Sequence, residues 1–111
     1  MNQPLPTPIS RYFDAFNARQ PQALGDSFSE TAELVDEGRA FAGRVAIRAW
    51  EEEQLTGEAR TIDVLTVSTS KERTAVVGRI HGDFPGSPHD RRFVFDLEGE
   101  RIARLEISRV S

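Results

Sequence analysis

Cysteine is absent from the 111 residues, and tryptophan, tyrosine and methionine occur once each. Without cysteine there is no disulfide framework, no thiolate nucleophile and no zinc cage built on thiolates. Apolar runs stop after a few residues, far short of the ~18 that a membrane-crossing helix needs, so no membrane partner is expected. The stretch Met1–Pro8 has no basic residue and no apolar core. A secretory signal is therefore not expected, and a cytoplasmic location is. Excess positive charge is missing too: 14 Lys and Arg face 18 Asp and Glu, for a net charge of −4. The first 58 residues carry ten acids and five bases, and the remainder eight and nine. Phosphate recognition needs clustered cations, so no nucleic-acid partner is expected.

The chain does have the material for a core. Leu, Ile, Val and Phe supply 28 residues, about a quarter of the chain, where disordered chains hold under about 20%. Its length fits one domain, expected over residues 9–111 after a flexible lead-in, residues 1–8. Thr7-Pro8 has the chemistry of a helix start, with Thr7 as N-cap. Ile9, Tyr12, Phe13 and Phe16 then follow at i, i+3, i+4, i+7, the stripe of an amphipathic helix. Pro21 opens a shorter helix carrying Leu24 and Phe28. Glu33–Asp36 and Arg39–Ala42 flank the turn signal Glu37-Gly38. A third helix is expected over Arg44–Leu55, with Ala46, Ile47 and Trp50 on its apolar face. Glu51, Glu52 and Glu53 read as a largely opposite, solvated face.

From Ala59 the period changes to two. Strands are expected at Ile62–Ser68, Thr74–Phe84, around Phe93, Phe95 and Leu97, and around Ala103, Leu105 and Ile107, with Ser70-Lys71-Glu72 as one of the turns. Helices followed by a strand meander predict an α+β fold with the helices on one face of an antiparallel sheet. Val64, Thr66, Val76, Ile80 and Ile102 are expected to form a semi-apolar patch on the other face, suited to a homodimer.

The series Tyr12-Phe13-x-Ala15-x-Asn17, Leu24, Phe28, Ala32, Asp36-Glu37-Gly38 and Gly43-Arg44-x-Ala46-Ile47-x-x-Trp50 resembles the SnoaL-like branch of the nuclear transport factor 2-like superfamily. The run Gly82-Asp83-Phe84-Pro85-Gly86-Ser87-Pro88, followed by Phe93-x-Phe95-x-Leu97 and Ile102-Ala103-x-Leu105-x-Ile107, is similar to one bacterial subgroup of it. The resemblance covers about residues 9–109. It implies a cone in which a strongly bent sheet wraps a helix and leaves an apolar pocket. It also implies either proton-transfer chemistry of the cyclase or isomerase kind, which requires no cofactor, or a non-catalytic ligand-binding or dimerisation module.

Tyr12 and Asp36 match the places of the oxyanion donor and the base in the steroid isomerases of this superfamily, where the aspartate moves a proton next to a carbonyl and the tyrosine hydroxyl stabilises the developing oxyanion. Asp36 equally suits a turn, bonding backbone amides, and Tyr12 equally suits a core. The neutral acid that completes the isomerase site is replaced by Arg91, which suits an enolate or a substrate carboxylate instead. Arg79, His81 and Asp83 share one face of their strand. The superfamily's epoxide hydrolases set an arginine between two aspartates, and His81 stands where one aspartate belongs. His81 has a side chain suited to acid–base work, or is an ordinary surface histidine. His81-x-Asp83 gives two metal ligands without a third, so no metal is expected. Phe16, Trp50 and Phe93 are expected as pocket walls, although Trp50 equally suits the core. Arg79 and Arg91 are expected as polar ligand contacts, with the ligand a small apolar molecule bearing a carbonyl or carboxylate. His89, beside Pro88, is expected to be exposed in a loop.

Overall fold

The computed structural model describes residues 4–57, 59–71 and 73–110. Helices α1 (Thr7–Asn17) and α2 (Pro21–Asp26) lead into the hairpin β1 (Phe28–Asp36) and β2 (Arg39–Ala42). Helix α3 (Arg44–Thr56) follows, then β3 (Arg60–Ser70), β4 (Arg73–Gly82), β5 (His89–Glu98) and β6 (Arg101–Arg109). The six strands form one sheet in the order β2-β1-β6-β5-β4-β3. Every neighbouring pair is antiparallel except β1 and β6, which run parallel. The α+β class expected from the element order is the one observed. Part of the expected lead-in, residues 1–3, lies outside the described residues, as does Glu72 of the Ser70-Lys71-Glu72 turn.

The stripe of α1 seats Ile9, Tyr12, Phe13 and Phe16 against the sheet, all buried. Tyr12 lies edge-on to Phe13, Phe28 and Phe95, with ring centroids 5.2, 5.8 and 5.7 Å away. Such edge contacts add about 0.5–1.5 kcal/mol per pair beyond burial, and together they lock the tyrosine. Asn17 ties the end of α1 to β3: its Nδ2 donates to the Ile62 carbonyl at 2.9 Å, and its Oδ1 accepts from the Ile62 amide at 2.7 Å. Arg44 fastens the start of α3 to the Phe28 carbonyl through two donors, at 2.9 and 2.7 Å.

The β1–β2 turn is built from two residues with positive φ, Glu37 at 48° and Gly38 at 89°. Both central positions of a type I′ hairpin turn require this. Glycine meets the requirement at no cost, whereas Glu37 needs anchoring. Its carboxylate accepts from Arg109 Nε at 3.0 Å and lies 3.5 Å from Arg91 Nη2. The Glu37 amide donates to the Ile107 carbonyl. Asp36 is therefore fixed at the end of β1 by its neighbour's contacts. Further along, Pro85-Gly86 forms the expected type II turn, with Gly86 at φ 90° and the Ser87 amide donating to the Phe84 carbonyl at 3.2 Å.

Several expectations are corrected. Thr7 is the first helical residue and Pro6 the N-cap, with no side-chain cap; the proline at the second helical position fits the amide-free first turn either way. Phe28 opens β1 rather than closing the second helix, because α2 ends at Asp26. The expected outer patch does not form. Val76 and Ile102 are fully buried under the helices, and Val64 and Ile80 pack against the same core. Strict alternation also fails in β6, where Ile102 and Leu105, three residues apart, are both buried. The pairing passes from Asp96↔Arg104 to Leu97↔Ile102, so Ala103 is an extra residue in β6. One such bulge turns the strand over between the two leucine-type side chains.

Candidate functional site

Between α1, α3 and the inner sheet face lies a cavity of about 130 Å³. Its helical wall is Tyr12, Phe16, Trp50, Glu51 and Gln54; its sheet wall includes Asp36, Ile62, Ile80, Phe93 and Ile107; Glu37, Arg60, His89 and Arg91 also line it. Sheet periodicity explains who arrives. On β5, His89, Arg91 and Phe93 are two residues apart and share a face. On β1, Asp36 continues the inward face of the buried Leu34.

Glu51 is the residue sequence reasoning missed. It is 1% exposed, and its Oε2 accepts a hydrogen bond from the Tyr12 hydroxyl at 2.9 Å. Burial pushes its pKa up to about 8; the Tyr12 bond pulls the other way, and the nearby charge of Asp36 adds to the rise. The carboxyl thus keeps its proton at neutral pH. Burial, reinforced by Glu51, holds the Tyr12 hydroxyl well above the ordinary tyrosine range. The expectation that the whole acidic triplet is solvated is corrected for Glu51 alone. Ile47, Trp50, Glu51 and Leu55 fall on one buried side of α3, while Glu52 and Glu53 are exposed. That spacing, i, i+3, i+4 and i+8, was the available signal.

Asp36 is half-buried, and its carboxyl is pushed upward by burial and by Glu37, against the pull of Arg91 and Arg39. Its carboxylate accepts no hydrogen bond from the described residues. The turn is secured instead by the backbone bond of Glu37 and by that residue's arginine partners.

The structure brings Tyr12, Asp36, Phe16, Trp50, Arg91 and Phe93 to one cavity. It does not bring His81 or Arg79 there. Val76, Gly78 and Ile80 take the inner face of β4, so residues 79 and 81 point outward. His81 Nε2 lies 2.8 Å from Asp63 Oδ2, and Arg79 Nε donates to Asp90 Oδ1 at 2.9 Å. His89 is the opposite correction: it opens β5 and lines the cavity, with its ring 5.2 Å from Phe84. Burial and the adjacent Arg91 and Arg60 lower its pKa, favouring the neutral imidazole. Among the described residues no group of three histidine or carboxylate side chains is placed to hold a metal, and no helix is long and apolar enough to cross a membrane.

Gly78 packs closely against two residues of the cavity wall, Ile62 and Phe93. A Cβ there would lie 2.8 Å from Ile62 Cγ2 and 3.1 Å from Phe93 Cε1. Gly78→Ala is expected to push these walls inward and cost about 1–3 kcal/mol. Urea denaturation checks the loss, and weaker binding of a small cyclic ketone checks the narrowing.

A curled sheet wrapped over helices, with a cavity between them, defines the cone-shaped pocket proteins of the nuclear transport factor 2-like class. Within that class the chain belongs to the SnoaL-like domain family, whose model matches residues 9–105. A candidate polyketide cyclase from Sinorhizobium meliloti is similar over 94% of this chain and 95% of its own, with 33% identity and a TM-score of 0.88. A protein from Sphaerobacter thermophilus shares 23% identity over 94% of each chain, with a TM-score of 0.80. A protein of ketosteroid isomerase-like fold from Catenulispora acidiphila, solved in complex with trimethylamine, shares 18% identity over 94% of this chain and 85% of its own, with a TM-score of 0.83. The last two show the fold alone. No functionally curated protein matches.

Proposed function

We propose that this chain binds a small carbonyl compound and moves a proton at the carbon beside the carbonyl, as a cofactor-independent isomerase or cyclase. Asp36 is the base, a carboxylate without a hydrogen-bonded partner at the cavity wall. The Tyr12–Glu51 pair is the polarising group. Because Tyr12 gives its only hydroxyl proton to Glu51, the proton available to a ligand oxygen is the one on the Glu51 carboxyl, and Tyr12 acts as a positioning residue. Arg91 steadies negative charge beside Asp36. A neutral acid that donates to a developing oxyanion, set against a charged base, is the division of labour such chemistry needs. The observation that carries the reading is this pairing of a proton-holding acid and an unpartnered carboxylate on one cavity. The likeness to a candidate polyketide cyclase supports it.

Size restricts the ligand. A cavity of about 130 Å³ is close to the roughly 150 Å³ that accommodates benzene, so it takes about one ring rather than a steroid. The test is exchange of the α-hydrogens of cyclohexanone with deuterated water, followed by NMR, for wild type and Asp36→Asn. Catalysed exchange that Asp36→Asn abolishes supports the proposal. Binding of the ketone without catalysed exchange supports the second reading, a non-catalytic binding module, which the commitment of the Tyr12 hydroxyl inside the protein favours.

A cytoplasmic homodimer is the proposed form. With Val76, Ile80 and Ile102 turned inward, its outer-face candidates become Ala75, Val77 and Val94, half-buried and adjacent across β4 and β5. Light scattering at twice the 12.4 kDa chain mass supports the dimer; the single-chain mass rejects it.

A further inference from the structure

Arg60 lines the same cavity on the first residue of β3, opposite Gly82 of β4. It is partly buried, and its Nε is enclosed with no hydrogen-bond partner among the described residues. The guanidinium lies over the Phe84 ring, 5.1 Å from its centroid, and Nη1 reaches Gln54 Oε1 only at 3.5 Å. No carboxylate of the described residues pairs with it. The other arginine of the cavity is differently placed: Arg91 stands 3.5 Å from Glu37, whose carboxylate Arg109 also holds. A guanidinium over an aromatic face at a cavity wall, with no carboxylate partner among the described residues, keeps forked donors to offer a carboxylate.

The lining also sets Arg60 apart from Asp36. Arg91 and Arg39 act on the Asp36 carboxyl, whereas Arg60 and Arg91 act on His89. His89 pairs with Ile80 across β4–β5, Ile80 pairs with Ile62 across β3–β4, and Arg60 shares the inner face two residues from Ile62. Arg60 and His89 therefore mark a rim of the cavity on the β3 side, while Asp36 stands on β1, on the other side of the sheet order.

We infer that Arg60 is the anchor for an anionic group, and that the ligands of this cavity are small, single-ring or short-chain carboxylates held by Arg60 at the rim. Combined with the proton-transfer reading, on which this clause alone rests, the substrate class is a carboxylic acid with a second carbonyl that faces Glu51 and Asp36.

Benzoate and its neutral counterpart benzamide are the probes, titrated into wild type, Arg60→Gln and Arg60→Lys at low salt and read by NMR. Wild type should bind benzoate at least about tenfold more tightly than benzamide, and Arg60→Gln should lose that preference through benzoate alone. Arg60→Lys, which keeps charge and loses the fork, should fall between them and covers a failure of the glutamine variant to fold. Equal affinities in wild type, an equal loss of both probes in the variants, or no saturable benzoate binding would overturn the inference. The readout is binding, so it stands apart from the proton-transfer reading. Carboxylate preference without ketone exchange keeps Arg60 as anchor and rejects the chemistry; ketone exchange without carboxylate preference does the reverse.

Discussion

Glu51→Gln is expected to stabilise the protein at pH 8.5 by several kcal/mol while leaving stability near pH 4.5 almost unchanged. The carboxyl ionises around pH 4.5 when the chain is unfolded, and in the fold its pKa is pushed up to about 8. Between those values the unfolded chain releases a proton that the folded chain retains. Stability contributed by the neutral group is thus full below pH 4.5, falls as the pH rises, and is spent once the pH passes about 8. At about 1.4 kcal/mol per unit, the loss is on the order of 5 kcal/mol. That is a large share of the roughly 5–15 kcal/mol that holds an ordinary domain together. Glutamine has no proton to lose and still offers an oxygen to the Tyr12 hydroxyl, so its curve lacks this fall. Urea denaturation at pH 4.5, 6.5 and 8.5 gives the comparison. Parallel curves for the two proteins would mean that Glu51 ionises normally in the fold.

Asp36→Asn carries the largest expected effect on activity. A positioned general base contributes about 10²–10⁴ in rate, so ketone exchange should drop by that factor, with ketone binding retained. Stability should hold or rise slightly, because burial and Glu37 oppose the Asp36 charge. A turn-holding aspartate would behave differently: its replacement would destabilise the hairpin and leave no exchange to lose. The variant has a second effect. The Asp36 charge helps keep Glu51 protonated, so its removal should lower the Glu51 midpoint, measurable in the same titration that follows the wild type.

How much of this was legible depended on whether each element followed a strict period. The α1 stripe and the Asp36–Arg39 hairpin were readable because helical spacing and a two-residue turn leave few alternatives. Tyr12 and Asp36 could then be placed by resemblance. Glu51 was hidden because three consecutive acids look like a solvated face, although only the first of them falls in line with Ile47 and Leu55. His81 and Arg79 were correctly grouped on one face of β4. Which face was inward could not be read from that strand, since Val76 and Val77 make its two sides almost equally apolar. The Ala103 bulge concealed the second half of β6: alternation cannot register an extra residue without its partner strand. Arg60 falls two residues ahead of the expected start of β3, so the alternation that begins at Ile62 does not reveal that the two share a face.

The most direct test is the titration of the Glu51 side-chain carboxyl by carbon-13 NMR, in the whole protein with glutamate labelled. The Glu51 resonance should stay at its protonated shift through neutral pH and move with a midpoint near pH 8, and this late transition should be absent from Glu51→Gln. A midpoint near the ordinary value of 4.5 would make Glu51 a charged partner of Tyr12. The cavity would then hold no neutral acid to polarise a carbonyl.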